Sequence, residues 1–339
     1  MKFITNLFKY SFIALALSAP LKFTHAQEAG VKLDFFGYAD NREYTAPYTS
    51  PKTIFGAIVS PQLFLKLDDQ NKFVGGIHYN QDFGIHNENK NRVNPIAYYN
   101  YESKNIDFAL GFIPRNEKLD VHRLVLADTF LYDRPNIEGM YFKFRNDNVN
   151  QAIYIDWLSK QGYTNKEQFI VGISGHYKWN SFYFKNDGLM YHNALTSNDN
   201  LEEHIQDNAV LMARIGLDLT EKTNLDSISM DFGGAVGFDR LRTIYENNMA
   251  GLVANIYVGY KKFYVSNTFY KGDALNLPNG DPFYKRDSYN RLDLGWIPFK
   301  SKNIDGKFTA SFHFTDSGMD NQQAFTLRYR FAESFWKKK

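Results

Sequence analysis

The chain has 339 residues, with 39 Lys and Arg against 37 Asp and Glu. So even a balance offers no basic face for nucleic acid, and the absence of Cys means that disulfides do not hold the fold. The mean hydropathy of −0.45 excludes a helical bundle in a membrane but not a barrel, where only alternate residues need be apolar.

The N-terminus reads as an export signal over residues 1–26. Lys2 and Lys9 give a positive start, Tyr10 to Leu21 is a short apolar run, and Thr24-His25-Ala26 offers small-residue cleavage before Gln27. The run is too short for a spanning helix, and without a nearby Cys no lipoprotein anchor is expected. Removing the segment takes three Lys and no acid, leaving 36 bases against 37 acids, a net charge of −1.

From there about sixteen short segments follow, each alternating apolar and polar residues. Ala209, Leu211, Ala213, Ile215, Leu217 and Leu219 interleave with Met212, Arg214, Gly216 and Asp218. Phe232, Gly234, Val236 and Phe238 do the same against Asp231, Gly233, Ala235 and Gly237, and Phe308 to Thr315 repeats the pattern. Successive side chains on a strand point to opposite faces, so each segment has one apolar and one polar face. The polar face is rich in Gly, Ser and Thr beside the charges, as a crowded wet interior requires.

The gaps alternate short and long. Short ones include Asp68 to Lys72, Ser103 to Asn105, Lys178 to Asn180 and Tyr260 to Lys262. Long ones include Asn41 to Thr53, Phe83 to Asn94, Arg115 to Asn136, Asp187 to Asp207, Asp239 to Asn248 and Gly272 to Asp287. This rhythm predicts an up-and-down antiparallel transmembrane β-barrel of about sixteen strands, with fourteen to eighteen allowed, over residues 27–331. Residues 332–339 are either a short tail or an extension of the last strand. Tyr98, Tyr99, Tyr101, Trp157, Tyr177, Trp179, Tyr260, Trp296 and Phe299 cluster near segment ends, where they predict aromatic girdles at the membrane interfaces.

In this architecture the chain resembles Gram-negative outer-membrane porins. The last segment, Phe325-Thr326-Leu327-Arg328-Tyr329-Arg330-Phe331, is similar to the terminal strand read by the barrel-insertion machinery, although Ala332 to Lys339 follow it. The resemblance implies an outer-membrane setting among lipids and lipopolysaccharide, small polar solutes as cargo, and possible trimers of identical chains.

The third long gap carries Val121, Leu124, Val125, Phe130 and Leu131, more apolar residues than a water-exposed loop needs. By the same resemblance it folds into the lumen and narrows it, with Arg115, Glu117, Lys118, Asp120, Arg123, Asp128, Asp133 and Arg134 as constriction residues. The polar phase of the strands puts Arg214, Asp218, Asp231, Arg291, Asp293, Arg328 and Arg330 on the pore wall. Opposite charges facing across such a lumen would order water and sort dipolar solutes; the mixed signs predict weak ion selectivity.

Catalysis is not expected. Ser174 and His176 share a strand face, but no carboxylate in sequence orients them. The run Gly233-Gly234-Ala235-Val236-Gly237 lacks the helix of a dinucleotide loop. His192 and His204, with Glu202 and Glu203, match no metal spacing, so neither a metal nor a cofactor is expected. The sequence thus points to passive diffusion of small polar solutes. The rival reading is a non-conducting barrel for adhesion, surface assembly or secretion; a third is a barrel enzyme acting on lipid, in which hydrolysis would be lost on Ser174→Ala or His176→Ala although both side chains face the lumen, away from lipid.

Overall fold

The computed structural model describes residues 27–84, 92–198 and 201–338; the expected export signal lies outside them. The described chain forms sixteen strands: β1 (Glu28–Glu43), β2 (Lys52–Lys66), β3 (Asn71–Asp82), β4 (Arg92–Glu102), β5 (Ile106–Pro114), β6 (Asn136–Arg145), β7 (Val149–Ser159) and β8 (Gln168–Trp179), then β9 (Phe182–Asn193), β10 (Gln206–Asp218), β11 (Ser227–Leu241), β12 (Tyr245–Tyr260), β13 (Phe263–Gly272), β14 (Ser288–Lys300), β15 (Ile304–Thr315) and β16 (Gly318–Lys337). Each pairs antiparallel with its chain neighbours, and β1 closes onto β16 from Glu28↔Lys337 to Glu43↔Asn321. Closure removes every free sheet edge, as a lipid surroundings demands. An even-stranded antiparallel barrel, closed on itself, is the form in which bacterial chains cross an outer membrane.

Alternation makes the wall amphipathic. On β10, Leu211 and Ile215 face outward and are 48% and 67% exposed, whereas Val210, Met212 and Arg214 face inward and are buried. Outward aromatics gather at the rims: Trp179, Tyr260, Trp296 and Phe299 at one, Trp157 and Phe55 at the other. Tyr98 departs from the girdle expected of it. Its neighbour Tyr99 takes the outward phase, so Tyr98 points inward and is buried.

One rim holds the ends of β1 and β16 together with tight turns such as 103–105, 180–181 and 261–262. Asn180, with φ at 55°, opens the two-residue turn after β8 in the left-handed region that Asn tolerates. The other rim carries the longer loops. Two expected gaps shrink. β9 runs on to Asn193, and β11 and β12 meet across residues 242–244, because register pairs such as Asp207↔His192 and Asp239↔Asn247 continue the ladder through polar residues. Above the apolar belt both faces of a strand are wet, so alternation fades while pairing persists. β16 continues past Phe331 to Lys337, lying beside the start of β1.

A barrel of this strand number leaves space inside, and two loops enter it. L3 (residues 115–135) joins β5 to β6, and L7 (residues 273–287) joins β13 to β14. Leu124, Val125 and Leu126 of L3 pack with Leu275, Leu277, Phe283 and Tyr284 of L7 and with inward Tyr270 and Tyr289. Removing these side chains from water is the main term holding the loops in place. The loops are also stitched by backbone: Ala127 N donates to Asn279 O at 2.8 Å and Asp281 N to Arg123 O at 3.0 Å.

Candidate functional site in the lumen and at the outer rim

L3 is anchored at its first residue. Arg115, 2% exposed, donates to Asp156 Oδ2 on β7 at 2.5 Å, to Asn136 O at 2.6 Å and to Arg134 O at 2.9 Å. Glu117 meets Lys32 on β1 at 2.5 Å, and Lys118 meets Asp107 on β5 at 2.7 Å. The Asp120 carbonyl accepts from Ser174 Oγ at 3.0 Å on β8. Asp128 lies 3.3 Å from Arg42 on β1 and 3.8 Å from Arg123 within the loop. L3 therefore spans the lumen, tied to several sectors of wall. Asp133 and Arg134 instead sit at the mouth, the first 3.3 Å from Arg92 and the second donating to Leu158 O at 3.1 Å.

Wall charges are bound to wall partners on the same strand, the adjacent strand or, for Asp218, the next strand but one. Arg214 bridges Asp187 at 3.0 Å and Asp231 at 3.1 Å. Arg291 holds Asp293 at 2.7 Å, and Arg328 and Arg330 lie 3.4 and 3.7 Å from Asp34. Asp218 meets Lys178 at 3.1 Å near the turn-bearing rim. These arginines spend their charge sideways along the wall rather than across the lumen.

The loop electrostatics follow from burial and these neighbours. Burial pushes the Asp128 carboxyl up, but Arg123, Arg42 and Arg291 outweigh it and hold it at about 2. Burial, then the Arg214 charge, depress His122 to about 3. Burial, with Asp128 beside it, raises Asp281 above the usual carboxylate range. His122 is therefore neutral at neutral pH, and its ring sits 3.4 Å from Asn255 Oδ1.

L7 was not expected in the lumen. Its signal was the one that marked L3: Leu275, Leu277, Phe283 and Tyr284 are apolar residues in a segment too long to be a turn. Two further groupings become visible only through register. Ser60 Oγ lies 2.7 Å from His78 Nδ1, whose Nε2 lies 3.0 Å from Asn136 Oδ1; all three are buried on the inner wall. Ser174 finds Asp187 at 3.0 Å rather than His176, whose ring packs edge-on to Tyr183.

The second grouping is on the outside, at the long-loop rim. His192 Nδ1 lies 2.7 Å from Asp207 Oδ1, and Asp207 Oδ2 accepts from Arg240 at 2.7 Å and Arg242 at 2.8 Å. The Phe169 ring packs on His192 with centroids 4.9 Å apart, and Trp157 stacks on Phe169 at 5.1 Å. Nearer the bilayer centre an apolar groove opens in the same outer face, lined by Val171, Ile173, Met190, Leu211, Val236 and Phe238 over the small residues Gly188 and Ala209. Among the described residues no cluster of His, Asp and Glu is placed to hold a metal.

Known structures share this architecture. A loop-deletion form of OmpT, an outer membrane protein of Vibrio cholerae, is 8% identical with a TM-score of 0.57, covering 90% of this chain and 100% of that one. An anion-selective porin from Comamonas acidovorans is 10% identical with a TM-score of 0.56, at 90% and 100% coverage. The trimer form of Vibrio cholerae OmpT is 6% identical with a TM-score of 0.55, at the same coverage of 90% and 100%. At such identities the likeness is one of fold. Among curated proteins, none matches the sequence.

A family model described as lipid A 3'-O-deacylase-type matches residues 21–338. It corrects the expectation that the chain is not an enzyme, because the family is named for one. Ser174 and His176 do not form a pair in the wall, but His192 and Asp207, from β9 and β10, do. The match takes in every described strand, and the chain belongs to the lipid A 3'-O-deacylase-type family.

Proposed function

We propose that the barrel passes small polar solutes through a lumen partitioned by L3 and L7. The observation that carries this reading is that the two loops divide the interior without lining it with apolar groups alone. Beneath them a cavity of about 350 Å³ is faced by Lys118, Asp120, Lys143, His176 and Lys185, and above them another holds Arg42, Asp128 and Arg291. Polar walls on both sides let a hydrated solute approach the partition from either rim. The expected outcome in planar bilayers is stable conductance steps, enlarged when residues 121–131 are deleted. A membrane that stays silent with both forms would sink the pore and favour the non-conducting barrel.

A second reading is favoured by the family match and by the outer rim. There the His192–Asp207 pair has the form of a general base with its orienting carboxylate, and Nε2 of His192 has no hydrogen-bond partner among the described residues. Arg240 and Arg242 suit a phosphate, and the apolar groove suits an acyl chain of an outer-leaflet lipid. In this reading His192 takes a proton from water as the water oxygen attacks the acyl carbonyl of lipid A, Asp207 steadies the resulting imidazolium, and the imidazolium returns the proton to the sugar oxygen as the acyl C–O bond breaks and the fatty acid leaves. His192→Gln is expected to slow release of the acyl chain by about a hundredfold or more, the usual worth of a general base, read by mass spectrometry of lipid A incubated with the detergent-solubilised barrel. If the wild-type protein leaves lipid A intact, or His192→Gln cleaves it as fast, the rim is not a catalytic site.

A further inference from the structure

We propose that the cavity beneath L3 binds a small organic carboxylate, a subsite that rests on the pore reading for its route of access. Four cations, Lys118, Lys143, Lys185 and Arg214, and two carboxylates, Asp120 and Asp187, line it. Lys118 is taken up by Asp107, and Arg214 by Asp187 and Asp231. Lys143 and Lys185 form no ion pair among the described residues, so two ammonium groups face the space against the single unpaired carboxylate of Asp120.

The arrangement is costly as architecture. His176, Lys185 and Arg214 pair in register on β8, β9 and β10, which sets three basic side chains in one row on adjacent strands. Like charges directly opposite one another destabilise a sheet, and a partly enclosed cavity screens them less than open water. Asp187 and Asp231 neutralise Arg214 in this row, but among the described residues Lys185 has only the Tyr183 ring, 5.1 Å from its ammonium and 5.5 Å from the His176 ring. An anion in the cavity would offset the unpaired charges of Lys185 and Lys143 that line it. Leu119 and Val121 of L3, with Tyr141 and Ala152 beside Lys143 on the wall, add apolar surface to the lining, so a carboxylate with a short apolar body fits better than a bare inorganic ion. Asp120 is the group that limits its affinity.

The test uses butyrate as probe and butylammonium, its cationic counterpart of equal length, as control. Calorimetry on the detergent-solubilised barrel is expected to show butyrate binding, weakened about tenfold or more in Lys143→Glu/Lys185→Glu, the scale of losing a hydrogen bond to a charged group. Asp120→Asn is expected to tighten it, a gain that misfolding cannot mimic. In bilayers with a potassium chloride gradient, the reversal potential is expected to move towards cation preference in the double variant. Equal binding of butyrate and butylammonium, no binding of either, or indifference to all three substitutions would overturn the subsite. Binding that persists in a barrel giving no conductance would overturn the pore and leave the subsite standing.

Discussion

Replacing Asp156 with alanine is expected to cost about 3–5 kcal/mol, the scale for breaking a buried pair from one side. The pair is among the most enclosed in the molecule, with side chains 2% and 1% exposed at Arg115 and Asp156. Asp156 also accepts from the backbone of Glu138 at 2.9 Å, so its loss leaves a second buried donor without a partner. The cost should fall on L3 before it falls on the wall, because Arg115 begins the loop while β6 and β7 keep their ladder. Two measurements check this. The thermal midpoint of the folded band in semi-native electrophoresis should drop, and single-channel conductance should become noisier and larger as L3 leaves the lumen. Arg115→Met/Asp156→Leu, which removes both charges and keeps apolar volume, should recover much of the stability. A single variant as stable and as quiet as the parent would show that this anchor does not hold the loop.

The wall was legible in the sequence because lipid imposes a period of two over the whole belt. Strand number, direction and inner face follow from residues such as Leu211, Arg214 and Val236 without any knowledge of contacts. Legibility ended where that solvent contrast ends. At the long-loop rim, β9 and β11 continue through His192 and Asp239, since hydrogen bonds to a neighbouring strand need no apolar side chain. The lumen was harder for another reason. Charge alone marks Arg214 as inward, but its partners Asp187 and Asp231 are chosen by register, which a list of inward residues does not contain. The same holds for Ser60, His78 and Asn136, and for His192, Asp207, Arg240 and Arg242. Each set is drawn from separate strands, with Arg242 from the turn after β11, and is silent until the sheet is closed. L7 could have been found, because Leu275, Leu277, Phe283 and Tyr284 are as conspicuous as the apolar residues of L3.

That partnership of two loops makes Gly280 the most sensitive single position in the partition. A Cβ there would stand 2.4 Å from Leu124 O and 3.1 Å from Leu277 Cβ. The obstacle in front is backbone, which cannot rotate aside. It also lies between the two bonds that stitch the loops, Ala127 N to Asn279 O and Asp281 N to Arg123 O. Alanine therefore has to push L7 off L3, stretching both bonds and loosening Leu124 and Leu277, which are 0% and 4% exposed. Overpacking of this kind costs about 1–3 kcal/mol. Because every ~1.4 kcal/mol is tenfold in an equilibrium, Gly280→Ala should raise the population of separated loops by about five- to a hundredfold while the barrel stays folded. The measurable result is frequent large openings in bilayers and faster proteolysis within L7. Gly75→Ala is the matched control, since nothing lies within 4 Å of its Cβ position, and it should leave the traces unchanged. If Gly280→Ala and Gly75→Ala gave the same traces, the contact between L3 and L7 would not be what closes the lumen.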